Sequence, residues 1–96
     1  MALLVLVSLA EGDKHGYRMI QDIEEFSGTA LEPGTLYGAL MRLEERGWIE
    51  QVASGERRKP YRLTESGRGA LTERLATLRR IERTGARRAR FAWGLS

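Results

Sequence analysis

The chain has 96 residues, of which 42% are apolar and 30% are charged, and it contains no cysteine. This length and composition are typical of one small globular domain, and the missing cysteines exclude a disulfide framework and a thiolate metal site. A chain of this size buries only about 60–65% of the surface that its unfolded form exposes, so a partner subunit would add to its stability. The absence of thiols is compatible with the cytoplasmic location that we expect.

The formal net charge is +3, but the two halves of the chain differ in sign. Residues 1–53 carry four basic and nine acidic side chains, a balance of −5. Residues 54–67 carry four basic and two acidic side chains (+2), and residues 68–96 carry eight and two (+6). A basic surplus that begins at residue 54 favours a polyanionic partner.

The first ten residues are almost entirely apolar. No Lys or Arg precedes them, and the run is too short for a signal peptide and about half of a membrane span. We therefore predict a buried core helix over Leu3–Leu9, ended by Gly12, and no membrane association. A second helix is predicted over His15–Phe26, with Asp13 as its cap. One face of this helix carries its apolar residues, Met19, Ile20, Ile23 and Phe26.

The segment Leu31–Gly47 is the one around which the chain is organised. Pro33 suits the first turn of a helix and Gly47 suits the residue just past its end. One predicted apolar stripe consists of Leu36, Leu40 and Leu43. The opposite face is small and flat at Gly34, Thr35, Gly38 and Ala39, while Tyr37, Met41 and Arg42 reach outward. Two helices joined by a Gly-containing turn, the second with a flat outer face, are typical of a helix-turn-helix.

A β-hairpin is predicted next, with flanks rich in β-branched and aromatic residues at Trp48–Ala53 and Pro60–Thr64. Its loop carries three consecutive cations, Arg57, Arg58 and Lys59. Such a loop is either a solvated turn or, directly after a helix-turn-helix, a contact to nucleic acid.

The last predicted helix begins at Thr64, a good N-cap, followed by Glu65 in the first turn. Its apolar stripe consists of Leu71, Leu75, Leu78 and Ile81. This stripe is longer than the core of a small domain can cover, so we expect it to pair with a second subunit, together with Leu3 and Leu6 of the first helix. Gly67 and Gly69 weaken the start of the helix, and Gly85 weakens or ends it. Residues 87–93 either continue the helix or form a loose tail.

The chain resembles the PadR family of bacterial transcriptional regulators over roughly residues 3–80. The resemblance rests on three ordered motifs: His15-Gly16-Tyr17; Gly34-Thr35-Leu36-Tyr37 with Leu40, Arg42-Leu43-Glu44 and Gly47; and Arg58 to Glu65 with Gly67 and Leu71. It implies a mainly α fold with a small β-hairpin, in which a winged helix-turn-helix (1–64) precedes a C-terminal dimerisation helix and tail (65–96). It also implies a homodimeric repressor that binds a palindromic operator in double-stranded DNA and is released by a small ligand. The family usually carries a short segment before the first helix, whereas this chain begins almost inside it.

Seven residues are predicted to contact DNA: Thr35, Tyr37, Arg42, Arg57, Arg58, Lys59 and Tyr17. Arg42 could read guanine, or form a salt bridge with Glu45 instead. Tyr37 would bond a phosphate or pack where the helix meets the wing, and Thr35 would bind a phosphate or serve in the first turn. The three cations of the hairpin loop would contact phosphates or the minor groove.

Phe91 and Trp93 are candidates for a pocket that holds a small aromatic or cationic effector, as in drug-sensing members of the family, or for dimer packing. His15, the single histidine, is expected to be structural rather than a sensor. No nucleophile–base pair, phosphate loop or metal-ligand cluster is present, so we predict no catalysis, no cofactor and no metal. The competing hypothesis is a winged-helix module that binds another protein through the small-residue face. Such a module would not need the basic hairpin.

Overall fold

A computed structural model describes residues 1–94 of the chain. The elements, in chain order, are α1 (Ala2–Ala10), α2 (Gly16–Ser27), α3 (Pro33–Glu45), β1 (Ile49–Gln51), β2 (Tyr61–Leu63) and α4 (Glu65–Trp93). The predicted fold class is confirmed: the chain is mainly helical and carries one two-stranded antiparallel hairpin. No helix of the described residues is long and apolar enough to cross a membrane.

The core forms where α1, α2 and α3 meet. Its most deeply buried side chains, each at most 1% exposed, include Val5, Leu6, Met19, Ile23, Leu36 and Leu40. The predicted stripe on α3 therefore faces inward. Leu6 had been predicted as a dimer contact, but it is fully buried within the single chain and so belongs to the core of the subunit.

The start of α2 differs from the prediction. His15, not Asp13, occupies the N-cap position, and its side chain makes no capping bond. The Asp13 carboxylate instead accepts a hydrogen bond of 3.1 Å from the Arg62 guanidinium on β2. At the other end, Phe26 remains 44% exposed, so the buried face of α2 is shorter than predicted.

The hairpin is joined to the helices at several points. Ile49 pairs with Leu63 and Gln51 with Tyr61, and the backbone of Tyr61 also exchanges two hydrogen bonds with Lys14 ahead of α2. Beyond the strands, the last backbone bond of the ladder runs from Val52 N–H to Pro60 O at 2.8 Å. The hairpin, which we call the wing, is thereby held beside the first residues of α2.

The long helix α4 starts as predicted. The Thr64 hydroxyl accepts the Gly67 N–H at 3.0 Å and donates to Gly47 O at 2.6 Å. The helix then runs for 29 residues, about 43 Å, without ending at Gly85, so residues 87–93 continue it. Beyond Leu71 nearly every side chain is exposed or half-buried. Most of the length of α4 therefore lacks the tertiary packing from which helices in proteins gain most of their stability.

Candidate nucleic-acid interface

A groove of about 1020 Å³ lies between the start of α2, the outer side of α3 and the wing. Three tyrosines and four cations line it: Tyr17, Tyr37, Tyr61, Arg18, Arg57, Arg58 and Lys59. Five of the seven predicted DNA contacts are therefore brought together in one place, although they come from three separate parts of the chain. The other two, Thr35 and Arg42, are exposed on α3 outside the groove. Arg18 and Tyr61 also belong to this surface, although the sequence motifs did not predict them there.

Tyr37 packs on the start of α2 and is 45% exposed. A β-carbon at Gly16 would lie 2.4 Å from the Tyr37 hydroxyl oxygen and 2.8 and 3.0 Å from two of its ring carbons, so a larger residue at 16 would push the Tyr37 side chain away. The packing occurs against α2, whereas the sequence predicted the junction of α3 with the wing. Tyr17, the next residue along α2, is 66% exposed and free to meet a ligand in the same groove.

The outer face of α3 contains fewer small residues than predicted. Ala39 is only 2% exposed, because it stands three residues after Leu36 and four before Leu43 and so falls on the inner stripe. Gly34 and Thr35 are exposed and Gly38 is half-buried. Arg42 extends back over Gly38, with its Nη1 atom 3.6 Å from where a β-carbon would stand.

Arg42 is exposed, so its guanidinium group is accessible to a ligand. The ion pairs of residues 1–94 do not include one between Arg42 and Glu45. The small side chains of Gly34, Thr35 and Gly38 beside it leave room for a second surface to approach the helix backbone closely.

The tip of the wing is strongly basic. Arg57, Arg58 and Lys59 are all exposed, and in the described residues no carboxylate forms an ion pair with them. The single acidic residue of the tip, Glu56, is bound by His15 at 2.8 Å. The three cations are therefore available to phosphate groups.

The predicted dimer contacts divide into two sets. Leu71 is only 8% exposed and, like Leu6, belongs to the core of the subunit. Leu3 is half-buried, while Leu75, Leu78 and Ile81 are 40%, 43% and 61% exposed and form an uncovered apolar stripe along α4. The proposed effector residues Phe91 and Trp93 stand further along, 94% and 75% exposed.

Within residues 1–94, no group of three His, Cys, Asp or Glu side chains is placed to hold a metal ion. The charge of the buried Lys14 is compensated by partners within the fold. Its ammonium group donates to Ser8 O and pairs with Glu11 at 2.7 Å and with Asp22 at 3.6 Å. This network joins α1 to α2, and none of its residues lines the groove.

The helix-turn-helix of α2 and α3, followed by a basic wing, is an arrangement typical of winged-helix transcription regulators. Residues 5–73 match the model of the transcriptional regulator PadR-like family, and the chain belongs to that family. Its members are transcription regulators and not enzymes.

Two relatives and one solved structure illustrate the match. The transcriptional regulator Rv3488 of Mycobacterium tuberculosis is 37% identical over 84 residues, which cover 84% of this chain and 78% of that protein. An uncharacterised 37.1 kDa protein in transposon Tn4556 of Streptomyces fradiae is 40% identical over 79 residues. That match covers 82% of this chain but only 23% of the relative. The crystal structure of a PadR family transcription regulator from Clostridium difficile R20291 superposes with a TM-score of 0.81 at 31% identity, covering 90% of this chain and 94% of that one.

Proposed function

We propose that the chain is a sequence-specific DNA-binding repressor that acts as a homodimer on a palindromic operator in the cytoplasm. The observation that carries the proposal is the groove in which Tyr17 and Tyr37 meet Arg57, Arg58 and Lys59. Hydroxyl groups and unpaired cations on one surface suit a row of phosphates. The flat side of α3 lies next to that groove and is the element that would enter the major groove.

In the proposed interface, some residues would recognise bases and others would bind the phosphate backbone. Arg42 is an exposed long cation on α3 and is proposed to make a bidentate contact to guanine, worth about 1–3 kcal/mol of discrimination. Thr35, in the first turn of α3, and the two tyrosines would hold the phosphate backbone. The wing cations would supply affinity that depends on salt more than on sequence.

Residues 1–64 would form the DNA-binding part, and residues 65–96 the dimerisation helix and tail. The exposed stripe of Leu75, Leu78 and Ile81, with Leu3 beside it, would be covered by the second subunit. A two-fold dimer presents two α3 helices in equivalent positions, which is what a palindromic operator requires.

Release by a small aromatic or cationic ligand is proposed to involve Phe91 and Trp93. Their exposure in the single chain leaves both rings available to line a pocket between subunits. Trp93 fluorescence in the dimer should respond to planar aromatic or cationic compounds. The guanidinium groups of Arg46 and Arg74 stack over the ring of the second tryptophan, Trp48, with their carbons 5.1 and 5.2 Å from its centre. A Trp48→Phe background therefore isolates the signal of Trp93, and a silent signal across the panel would contradict the pocket.

The DNA proposal is tested by selecting bound sequences from random duplex DNA and titrating the best one with salt. Replacing the three wing cations with Ala should reduce the slope of log affinity against log salt by up to about three units per subunit. A matched control removes three exposed arginines from α4 instead: Arg79, Arg83 and Arg87. Equal slopes for wild type and the wing variant would remove the wing from the interface. Failure to enrich any duplex would favour the protein-binding module.

A further inference from the structure

The tip of the wing has few connections to the rest of the domain. Residues 53–59 lie beyond the last ladder bond, and their one internal hydrogen bond runs from Glu56 N–H to the Ser54 hydroxyl at 3.3 Å. Across the described part of the chain, the hydrogen bonds that join this tip to another element all come from His15. Its Nε2 atom lies 2.8 Å from Glu56 Oε2 and 3.2 Å from the carbonyl oxygen of Arg58.

We propose that His15 is a positioning residue that latches the wing tip to the start of α2 and so orders the wing cations for DNA. This inference rests on the proposed function. Both partners of Nε2 are acceptors, so a single ring N–H, shared between them, satisfies the carboxylate and the carbonyl together. The contact joins positions 41 and 43 residues apart in the chain and spans the groove that holds the DNA contacts.

The latch has two consequences for a polyanionic ligand. The bond to the Arg58 carbonyl fixes the backbone in the middle of the three cations, so less conformational entropy is lost when they meet phosphates. The bond to Glu56 holds the only carboxylate of the tip against the His15 ring. Because Glu56 also lines the groove, this bond gives its carboxylate an N–H donor in place of the neighbouring guanidinium groups.

His15 is well suited to a test by substitution. Its side chain is 40% exposed and makes no capping bond to α2, and the bond that begins the helix, from Met19 N–H to His15 O, uses the backbone alone. Removing the imidazole should therefore leave the helix and the core unchanged. A change in the wing would report on the latch itself.

The first measurement is made on the free protein. Amide order parameters of residues 53–59 should fall from about 0.85 to below about 0.6 in His15→Ala, and also in Glu56→Ala, which removes one acceptor. His15→Gln should keep most of the order, because its side-chain amide is also an N–H donor. Gln21→Ala serves as the control, since Gln21 is exposed on α2 and contacts Arg18 instead of the wing. Unchanged order parameters in His15→Ala would overturn the latch.

The second measurement is the affinity for the selected duplex. His15→Ala should bind up to about fivefold more weakly, the factor that corresponds to about 1 kcal/mol for an exposed pair. His15→Gln should recover most of the loss at an unchanged melting temperature. A disordered tip with undiminished affinity would overturn the positioning role. If the wild-type protein binds no duplex at all, the proposed function fails, while the order parameters still decide whether the latch exists.

Discussion

Gly67 and Gly69 stand two residues apart in the first turns of α4, and alanine at each should change stability in opposite directions. A β-carbon on Gly67 would lie 1.9 Å from the carbonyl oxygen of Trp48, 2.9 Å from its carbonyl carbon and 3.3 Å from the Leu63 side chain. A β-carbon on Gly69 would meet nothing within 4 Å. The overlap at Gly67 is with backbone, which cannot rotate away, so α4 has to move off the hairpin.

The size of the effect follows from three contributions. Alanine gains up to about 1 kcal/mol over glycine in a helix interior, and Gly69→Ala should show that gain alone. Gly67→Ala carries the same gain, but overpacking costs about 1–3 kcal/mol. The movement also strains the 3.0 Å bond from Thr64 N–H to Trp48 O, which is worth about 0.5–1.5 kcal/mol. A net loss of about 1–3 kcal/mol is expected for Gly67→Ala.

Thermal unfolding followed by circular dichroism measures this difference directly. Each 1 kcal/mol should shift the melting temperature by about 4–8 °C in a domain of this size. The variants have to be compared at one protein concentration, because association raises the apparent stability. If Gly67→Ala melted at or above the temperature of Gly69→Ala, the close contact between α4 and the hairpin would be wrong.

Three further predictions concern the proposed interface. Arg42→Ala should relax base preference at one position of each half-site by about 1–3 kcal/mol, measured by repeating the DNA selection, whereas an unchanged preference would leave Arg42 without a role in base recognition. Leu78→Glu places a charge on the exposed stripe of α4 and should produce monomers in analytical ultracentrifugation at micromolar concentration; Arg83→Glu, on the same helix, controls for the charge. Gly16→Ala should displace the Tyr37 ring and weaken DNA binding. In a Tyr37→Ala background, Gly16→Ala should cause no additional loss of affinity, because the ring that it displaces is absent.

The sequence could predict the features that depend on neighbouring residues. The start of α3 at Pro33, the turn after it at Gly47 and the cap at Thr64 follow from local backbone rules, and the structure has all three. Ala39 was assigned to the wrong face although the helical period places it on the inner stripe. The continuation of α4 through Gly85 could not be predicted, because an interior glycine costs only about 1 kcal/mol, which the rest of a long helix can offset, and glycine is equally common just past a helix end.

Contacts between residues that lie far apart in the chain could not be predicted from the sequence. The motif His15-Gly16-Tyr17 has no local feature that shows Gly16 beneath the Tyr37 ring or His15 bound to the wing tip. Gly67 looked like a weak point in a helix and is the place where α4 touches the Trp48 carbonyl. The first two contacts lie in the surface proposed to bind DNA and the third fixes α4 to the hairpin. All three join separate elements, so they become visible only once the elements are packed.

The proposed dimer makes α4 the element that sets the distance between the two α3 helices. The Thr64 cap and the contact at Gly67 fix α4 to the hairpin, and the shared core fixes α3 in the same subunit. A dimer built along α4 should therefore hold its two α3 helices at one fixed separation, close to the roughly 34–36 Å between the half-sites of the operator.

Changing the spacing of the selected operator tests this rigidity. Five inserted base pairs move one half-site by about 17 Å and to nearly the opposite face of the duplex, at about 3.4 Å per pair, so two-site binding should be lost. Ten inserted pairs restore the face but double the distance, and a dimer rigid along α4 should not recover affinity. Recovery at ten pairs would mean that the two DNA-binding parts are flexibly linked, and a ligand at Phe91 and Trp93 could then not release the DNA by altering their separation.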